Sequence, residues 1–376
     1  MQLSRSLPRL PLALALVVAM QQRAAAENDF VAKTQVYTDS DHTTVVSPLV
    51  RIAKDVWRGG TLGASFIADV VTSASVDVVT NATKRMTDFR KEATGSIAQT
   101  FADTTLNGAY IFSSENDYTS HNLSLGASQD LLQRNTTLAL NYALSLNDVG
   151  RSGDPNFHKS LQVHTLDASW TQVLSPKMLL QAAYTFEYAD GYQASPYRFV
   201  RVDQIDMTSM GCQGGSLPES CYAPQFKVAE TDPDQRFRNA FVLALKRHLF
   251  QDSALQVDYR FYVDNWGVMS HTAEAVYLVD FNWVTLRFRE RFYFQNAASF
   301  FQSHYTDLQP FMTADRELST FFSNLAGVKA VFKLDRAVAG LSLEAKADLF
   351  YFYYIDFAYL SYRVGGNLAV GMSMRF

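Results

Sequence analysis

Apolar and polar residues alternate with a period of two along much of this chain. In the last nine residues, LAVGMSMRF, the positions Leu368, Val370, Met372 and Met374 are apolar, and the positions between them are small or polar. Successive side chains of a β-strand point to opposite faces of the sheet. The period therefore predicts a strand with one apolar face and one wettable face.

The same alternation recurs in TLALNYALSLN, MLLQAAYTFEYAD, LQVDYRFYVDN and LSLEAKADLFYFYYIDF, each of at least 11 residues. Strands of globular proteins usually have about five or six residues, whereas a tilted strand needs about 9–11 to cross a bilayer. Aromatic residues gather near strand ends in FYFYYIDF and RFYFQ, as in the interfacial girdles of membrane barrels. A large soluble β-sandwich also alternates, but strand length and aromatic placement favour a membrane barrel.

The connections between the predicted strands alternate in length. Counted back from Phe376, the long ones, including Asp190–Asp234, fall on one side, and short ones such as DFNW and VLSPK fall on the other. An even strand number then requires a further strand in DFVAKTQVY, joined to the next by the TDSDH turn. We therefore predict an all-β fold: a single antiparallel transmembrane β-barrel of about 16 strands, with 14 as the alternative. Short periplasmic turns and long outer loops are expected.

The first residues predict export. They combine a basic start (Arg5, Arg9), an apolar segment over Leu10–Met20 and an Ala-x-Ala site, with cleavage expected after Ala26. The expected organisation is a signal peptide over residues 1–26 and an outer-membrane barrel domain over 27–376, in which 190–234 is a long outer loop. No transmembrane helix is predicted. The terminal Phe376 is typical of what outer-membrane proteins offer the barrel-assembly machinery, so that machinery and membrane lipid are the expected partners.

Composition excludes some functions. A net charge of −4 and a pI near 6.0 give no basic field for nucleic acid. Cys212 and Cys221 lie in GCQGGSLPESCYA, where a local disulfide is favoured over two free thiols in an exported protein. Two cysteines are too few for a metal site, and the sequence has no phosphate-binding glycine loop or heme-attachment signature. We therefore expect neither metal nor cofactor.

Several long stretches carry a resemblance to a known family. They are YIFSSENDYTSHNLSLGASQDLLQRNTTLALNYALS, HTLDASWTQVLSPKMLLQAAYTFEYADGYQASPYRFV, VDYRFYVDNWGVMSHTAEA, LRFRERFYFQNAASFF and SFIADVVTSASVDVVTNATKRMTDFRKEA. They resemble bacterial proteins grouped as domain of unknown function 3570, with Asp88 and Phe292 standing where that family is expected to have Glu and Tyr. The resemblance implies an outer-membrane barrel. It also implies an association with envelope redox proteins of the flavin-transfer and thioredoxin-like kinds.

Charged residues mark the expected lumen. Arg287, Arg289 and Arg291 alternate in TLRFRERF and point away from the apolar face. They would form either a basic ladder that attracts anions or a network that pairs with acidic residues across the barrel and plugs it. Glu290 falls on the supposed lipid face, which would require a bulge or a shifted strand boundary. The full set of lumen-lining candidates is Arg287, Arg289, Arg291, Asp258, Arg260, Glu344, Lys346 and Asp348.

Two further clusters are expected to be structural. The hairpin at Phe250–Ser253 sets a register that brings Arg238 opposite Asp264, so Arg236, Arg238 and Asp264 predict an ion pair at the outer rim. A lumenal network is predicted for Asp88, Arg90 and Glu92, which share one face. The acids Asp39 and Asp41 lack the rest of a calcium loop and predict turn chemistry.

Three functions remain open from the sequence. The first is a channel or export pore for a small polar solute, because a barrel of about 16 strands is wide enough for water. The second is a closed barrel that acts as a scaffold or partner-binding protein of the envelope. An outer-membrane hydrolase is third, since His271 beside Ser270 and His121 beside Ser120 are sequence neighbours that point to opposite faces of a strand.

Overall fold

A computed structural model describes residues 28–73, 86–208, 211–212, 217–250 and 252–376. The predicted signal peptide, residues 1–26, lies outside the described residues. No helix in these ranges is long and apolar enough to cross a membrane.

The described chain consists almost wholly of strands and their connections. The strands are β1 Asp29–Asp39, β2 Thr43–Trp57, β3 Gly60–Ser73, β4 Met86–Phe101, β5 Thr104–Ser114, β6 Tyr118–Leu131, β7 Thr136–Arg151, β8 Asp154–Ser175, β9 Met178–Gly191, β10 Phe199–Ile205, β11 Tyr222–Ala229, β12 Gln235–His248, β13 Ser253–Asp264, β14 Met269–Asp280, β15 Val284–Gln295, β16 Phe321–Lys333, β17 Leu341–Tyr354 and β18 Tyr362–Arg375. Two short 3₁₀ helices cover Glu219–Cys221 and Arg316–Leu318.

Sixteen of these described strands close a barrel. Every neighbouring pair is antiparallel, and β1 closes the sheet by pairing with β18 from Asp29 opposite Arg375 to Asp39 opposite Gly365. β9 pairs directly with β12. β10 and β11, which lie between these strands in the chain, form a separate two-stranded sheet outside the barrel wall. The predicted fold and strand number are confirmed, including the first strand in DFVAKTQVY, and the alternative of fourteen is wrong. Closure leaves no unpaired sheet edge for lipid to meet.

The two rims of the barrel differ. The first described residue, Asn28, and the last, Phe376, lie at one rim, where the Phe376 amide donates to the Asn28 carbonyl at 3.0 Å. This terminal rim carries short turns such as 58–59, 102–103 and 176–177, and the opposite loop rim carries the long connections 192–234 and 296–320. The expected division between short turns and long loops is confirmed.

The two faces of each strand meet different surroundings. Large apolar side chains point outward, for example Leu125, Leu349 and Val370 at 59%, 70% and 62% exposure. Inward positions are polar, charged or small, as Ser124 and Ala369 are. An outward apolar band around a polar interior is the arrangement of outer-membrane barrels.

Candidate functional site

The lumen wall formed by β13, β14 and β15 is basic. Along β15 the outward neighbours Phe288 and Phe292 are 45% and 47% exposed, so the alternate positions face inward. On β13, Val257 and Tyr259 are exposed and therefore face outward, so Arg260 at the alternate position faces inward. Four inward arginines result, here called the arginine row: Arg260, Arg287, Arg289 and Arg291.

Among the described residues, one arginine of the row forms an ion pair within 4.0 Å. Arg289 Nη2 lies 2.8 Å from Glu274 Oε2 on β14. In the part of the chain that the structure describes, no carboxylate oxygen lies within 4.0 Å of the guanidinium of Arg260, Arg287 or Arg291. Asp258 accepts from Gln256 Nε2 at 2.9 Å and makes no ion pair in the same part of the chain. With four arginines against the two acids Asp258 and Glu274, this wall carries a net positive charge.

The lumen charges of β17 are paired. Glu344 on β17 bridges Lys33 and Lys329, with both Nζ atoms 2.6 Å from its carboxylate oxygens. Lys346 Nζ lies 2.6 Å from Asp348 Oδ2 on the same strand. The lumen candidates Glu344, Lys346 and Asp348 therefore all take part in ion pairs. In the arginine row, by contrast, Arg289 is the member for which the described residues supply such a pair.

The acidic residues of β3 and β4 form a second lumenal cluster. Arg90 Nε lies 2.9 Å from Asp69 Oδ2, and Arg90 Nη2 lies 3.2 Å from Glu92 Oε2. Asp88 is buried and accepts from Asn116 Nδ2 at 3.2 Å. The cluster joins Arg90 and Glu92 to Asp69, which the sequence did not single out.

The predicted rim residues come together with different partners. Arg238 is opposite Asp264 in the register of β12 and β13, but its side chain pairs with Glu187, opposite it on β9. The ion pair to Asp264 is made by Arg236, with Nη2 2.5 Å from Oδ2. The Arg236 guanidinium also stacks on Trp266, 4.0 Å from the ring centroid.

The two long connections form a cap over the lumen, defined here as the described residues of 192–234 (192–208, 211–212 and 217–234) together with 296–320. Val200 and Val202 of β10 pack against Tyr305 and Met312 in a buried apolar cluster. Backbone bridges join the two segments between Val202 and Tyr305 and between Thr231 and Met312. One segment starts between β9 and β12 and the other between β15 and β16, so four barrel strands separate them. The two segments therefore meet over the mouth of the barrel.

A buried charge cluster lies inside the cap. Arg198 Nη1 is 3.0 Å from both Glu230 Oε2 and Asp315 Oδ2. Burial raises the pKa of the Glu230 carboxyl, against the lowering effect of Arg198. Burial, with Glu230 and Asp315 nearby, raises the pKa of Asp232 well above its ordinary value. The cluster thus has more acids than bases in a site removed from water.

The cap is fixed to hairpins around the loop rim. Arg316 pairs with Asp41 in the β1–β2 turn, and Tyr197 donates to Asp117 in the β5–β6 turn. Arg201 lies 5.3 Å from the ring centroid of Tyr359 in the β17–β18 connection. These contacts attach the cap to three separate hairpins around the loop rim.

A disulfide and a histidine complete the cap. Cys212 and Cys221 are joined, with Cα atoms 5.5 Å apart, and both are buried. His304 Nδ1 lies 3.0 Å from Asp203 Oδ2 and its Nε2 2.8 Å from Glu219 Oε2. His304 therefore bridges carboxylates of the other cap segment.

The neighbouring serines and histidines do not form catalytic pairs. Ser270 is buried at the inward face of β14, while His271 is exposed and contacts the Tyr259 hydroxyl at 2.7 Å. His121 likewise contacts the hydroxyl of Tyr110 at 2.7 Å. Asp39 caps its own turn, accepting from the amides of Asp41 and Thr43 at 3.0 Å each, as turn chemistry requires.

Comparison with family models identifies the chain. A model described as protein of unknown function (DUF3570) matches residues 77–163 and 154–353. The chain belongs to the DUF3570 family. No curated protein sequence matches this DUF3570 chain.

Solved structures share the fold of this DUF3570 barrel. A bacterial polysaccharide outer membrane secretin is 8% identical with a TM-score of 0.51, over 93% of this chain and 99% of that one. CdiB from Acinetobacter baumannii is 8% identical with a TM-score of 0.50, over 92% of this chain and 60% of that one. The fold is that of outer-membrane barrels, which supports an outer-membrane location.

From the sequence, the 190–234 connection was open to two roles, a constriction in the lumen or a cap on the mouth, and the contacts that hold the cap were not predicted. The Arg316–Asp41 pair joins positions 275 residues apart, and Arg198, Glu230 and Thr313 lie in connections without periodicity. The signals available were the length of the two connections and the alternation of Val200 and Val202 with Arg201 and Asp203 in β10.

Proposed function

We propose that this barrel is a pore for small anionic solutes, with the cap as the constriction at its outer mouth. The observation that carries the proposal is the arginine row, in which Arg260, Arg287 and Arg291 face the lumen without a carboxylate within 4.0 Å among the described residues. An uncompensated charge in a narrow polar channel attracts solutes of opposite sign.

The chemistry of arginine supports anionic solutes in particular. A guanidinium stays charged and binds carboxylate or phosphate through paired hydrogen bonds. Arg260 lies 5.5 Å from the Tyr262 ring centroid, a contact that orients its guanidinium and leaves its donors free for a solute. The solute class is therefore small carboxylates or phosphates.

The width of the barrel also supports a pore. Small barrels of about eight strands are filled by their own side chains, while barrels of 16 to 18 leave an aqueous channel. Loops that fold over or into such a channel set its limiting size. The cap, held by the Arg198–Glu230 and Arg316–Asp41 pairs, has this position.

A closed scaffold is the second candidate, favoured by the same cap contacts, because a mouth tied to several hairpins presents a fixed surface to partners. Export through residues 1–26, and recognition of Phe376 by the barrel-assembly machinery, belong to both proposals. Phe376 is 55% exposed at the terminal rim.

Solute uptake into liposomes separates the two candidates. Refolded protein is expected to admit a small dicarboxylate faster than a diamine of matched size. A variant with Arg260→Ala, Arg287→Ala and Arg291→Ala should lose this preference. The matched control is Arg134→Ala, Lys177→Ala and Arg247→Ala, which removes the same charge from exposed positions at the terminal rim. Uptake of neither solute would contradict the pore and favour the scaffold.

A further inference from the structure

The lipid-facing wall of the barrel carries a carboxylate near the middle of a strand. Glu290 is exposed on the outward face of β15, between Phe288 and Phe292. The pairing of β15 with β14 and with β16 continues without a register shift from end to end. The bulge or shifted boundary expected from the sequence does not occur in these paired strands, so the outward position of Glu290 needs another explanation.

Depth makes this position unusual. Exposed Lys91 and Arg247 also belong to membrane-spanning strands, but Lys91 is opposite Ser114 at the end of β5 and Arg247 opposite Met178 at the start of β9. Those cations can reach the interface, as long basic side chains do. Glu290 has six residues of β15 before it and five after it. A group at this depth normally has a polar partner.

The partner within the chain is Asn324 on β16. Its Nδ2 donates to Glu290 Oε1 at 2.6 Å, and both side chains are exposed on the outward face. The bond uses one carboxylate oxygen and one amide hydrogen. In the described part of the chain, Glu290 Oε2 and Asn324 Oδ1 make no hydrogen bond, so the pair has both donor and acceptor capacity left.

The surface around the pair is shaped as a notch. Ala275 and Ala326 lie directly opposite Glu290 on the two neighbouring strands, and both are exposed. Phe288 and Phe292 project on either side of Glu290 along β15. Small residues beside a polar group let another protein surface approach closely in the membrane.

We propose that this notch is a dimer interface occupied by a second copy of the same chain. Asn324 of each copy would donate to Glu290 of the other across a two-fold axis. Two polar groups that are costly in lipid would thereby satisfy each other.

Self-complementarity is the reason for choosing a second copy. In a two-fold interface the same patch serves both partners, so a donor in it must meet an acceptor from the same patch. Asn324 and Glu290 supply that donor and acceptor side by side. Copies inserted with the same orientation are related by an axis along the membrane normal, which brings residues of equal depth together. The projecting Phe288 and Phe292 and the recessed alanines likewise offer knobs and holes on one surface.

Thiol crosslinking in the outer membrane tests this interface. The two native cysteines are joined to each other, and the described chain has no free thiol. Single cysteines are introduced by Ala275→Cys or Ala326→Cys in the full-length protein. The matched control is Leu125→Cys, whose site is 59% exposed on β6, seven strands away around the barrel.

We expect a crosslinked product of twice the chain mass for both interface variants, in about tenfold excess over the Leu125→Cys control. Adding Glu290→Leu should reduce it about tenfold, and Asn324→Ala serves if Glu290→Leu does not give a heat-modifiable barrel. Equal crosslinking at interface and control sites would overturn the proposal. So would a product of any other mass, which would assign the notch to a different protein.

Discussion

Arg198 and Glu230 form an ion pair in the cap at 3.0 Å, with their side chains 6% and 0% exposed. Glu230 also accepts from the Ser195 amide at 3.0 Å and from the Thr313 hydroxyl. Through Asp315, which pairs with Arg198, and Thr313, which donates to Glu230, the pair links the ends of β10–β11 to the 296–320 segment.

Removing one member should loosen the cap. Arg198→Met leaves Glu230 buried without its cation, and breaking a buried pair typically costs about 3–5 kcal/mol. We expect hydrogen exchange to increase in residues 217–234 while the barrel strands keep their protection. Arg134→Met, at an exposed pair with Asp103, is the control and should change little. Unchanged exchange in the cap of Arg198→Met would show that the apolar cluster alone holds it.

The stability of the cap should depend on pH. Burial, with Glu230 and Asp315 nearby, raises the pKa of Asp232 well above its ordinary value in the closed cap, so closing the cap favours the protonated Asp232 carboxyl. The contribution of Asp232 is complete below its ordinary pKa and declines as pH rises through the raised one. Protection factors in 217–234 should therefore fall as pH rises through the raised pKa of Asp232.

The variant Asp232→Asn provides the control for this pH dependence. It keeps a neutral hydrogen-bonding group at the position and should give protection that hardly changes with pH. A native cap that becomes more protected as pH rises would contradict the assignment, because the ionised form of Asp232 would then be the stable one.

Asp264 should be the residue of the loop rim most sensitive to substitution. Its carboxylate accepts from Arg236 Nε at 2.8 Å, the Tyr262 hydroxyl at 2.6 Å, and the amides of Trp266 and Val268 at 3.0 and 2.9 Å. Asp264→Ala leaves these donors unpaired, at about 1–3 kcal/mol each where burial persists. We expect the temperature at which the barrel unfolds to be clearly lower in Asp264→Ala than in the native protein.

Asp264→Asn keeps one acceptor, so its unfolding temperature should fall less than that of Asp264→Ala. Both temperatures are read from the change in gel mobility when the heated barrel unfolds. Asp103→Ala, at an exposed turn, should behave as the native protein. Equal melting of Asp264→Ala and Asp103→Ala would mean that the rim network contributes nothing to barrel stability.

The sequence predicted the barrel because its determinants are local. Alternation in β17, with Leu343 and Leu349 outward and Glu344 and Asp348 inward, depends only on the two-residue repeat of a strand. The lengths of the connections then assigned each connection to one of the two rims. An even number of strands required a further strand at the start, which is β1. The register of β12 and β13 followed from a short hairpin, so Arg238 was correctly set opposite Asp264.

The cap and the pairing of charges could not be predicted in this way. The sequence fixes which face Arg236 and Arg238 share, but the choice between Asp264 and Glu187 depends on side-chain geometry across three strands. Arg316 and Asp41 meet only because a long connection crosses the mouth. Such contacts join distant positions in irregular segments, where no periodic pattern indicates the partner.

The most direct test of the pore is the reversal potential of single channels in a planar bilayer under a potassium chloride gradient. The native protein should give steady conductance with a reversal potential on the chloride side, and the Arg260→Ala, Arg287→Ala, Arg291→Ala variant should shift it towards potassium. The terminal-rim triple variant Arg134→Ala, Lys177→Ala, Arg247→Ala should retain the native value. A folded, heat-modifiable barrel without conductance, or a reversal potential that all three proteins share, would contradict the anion pore.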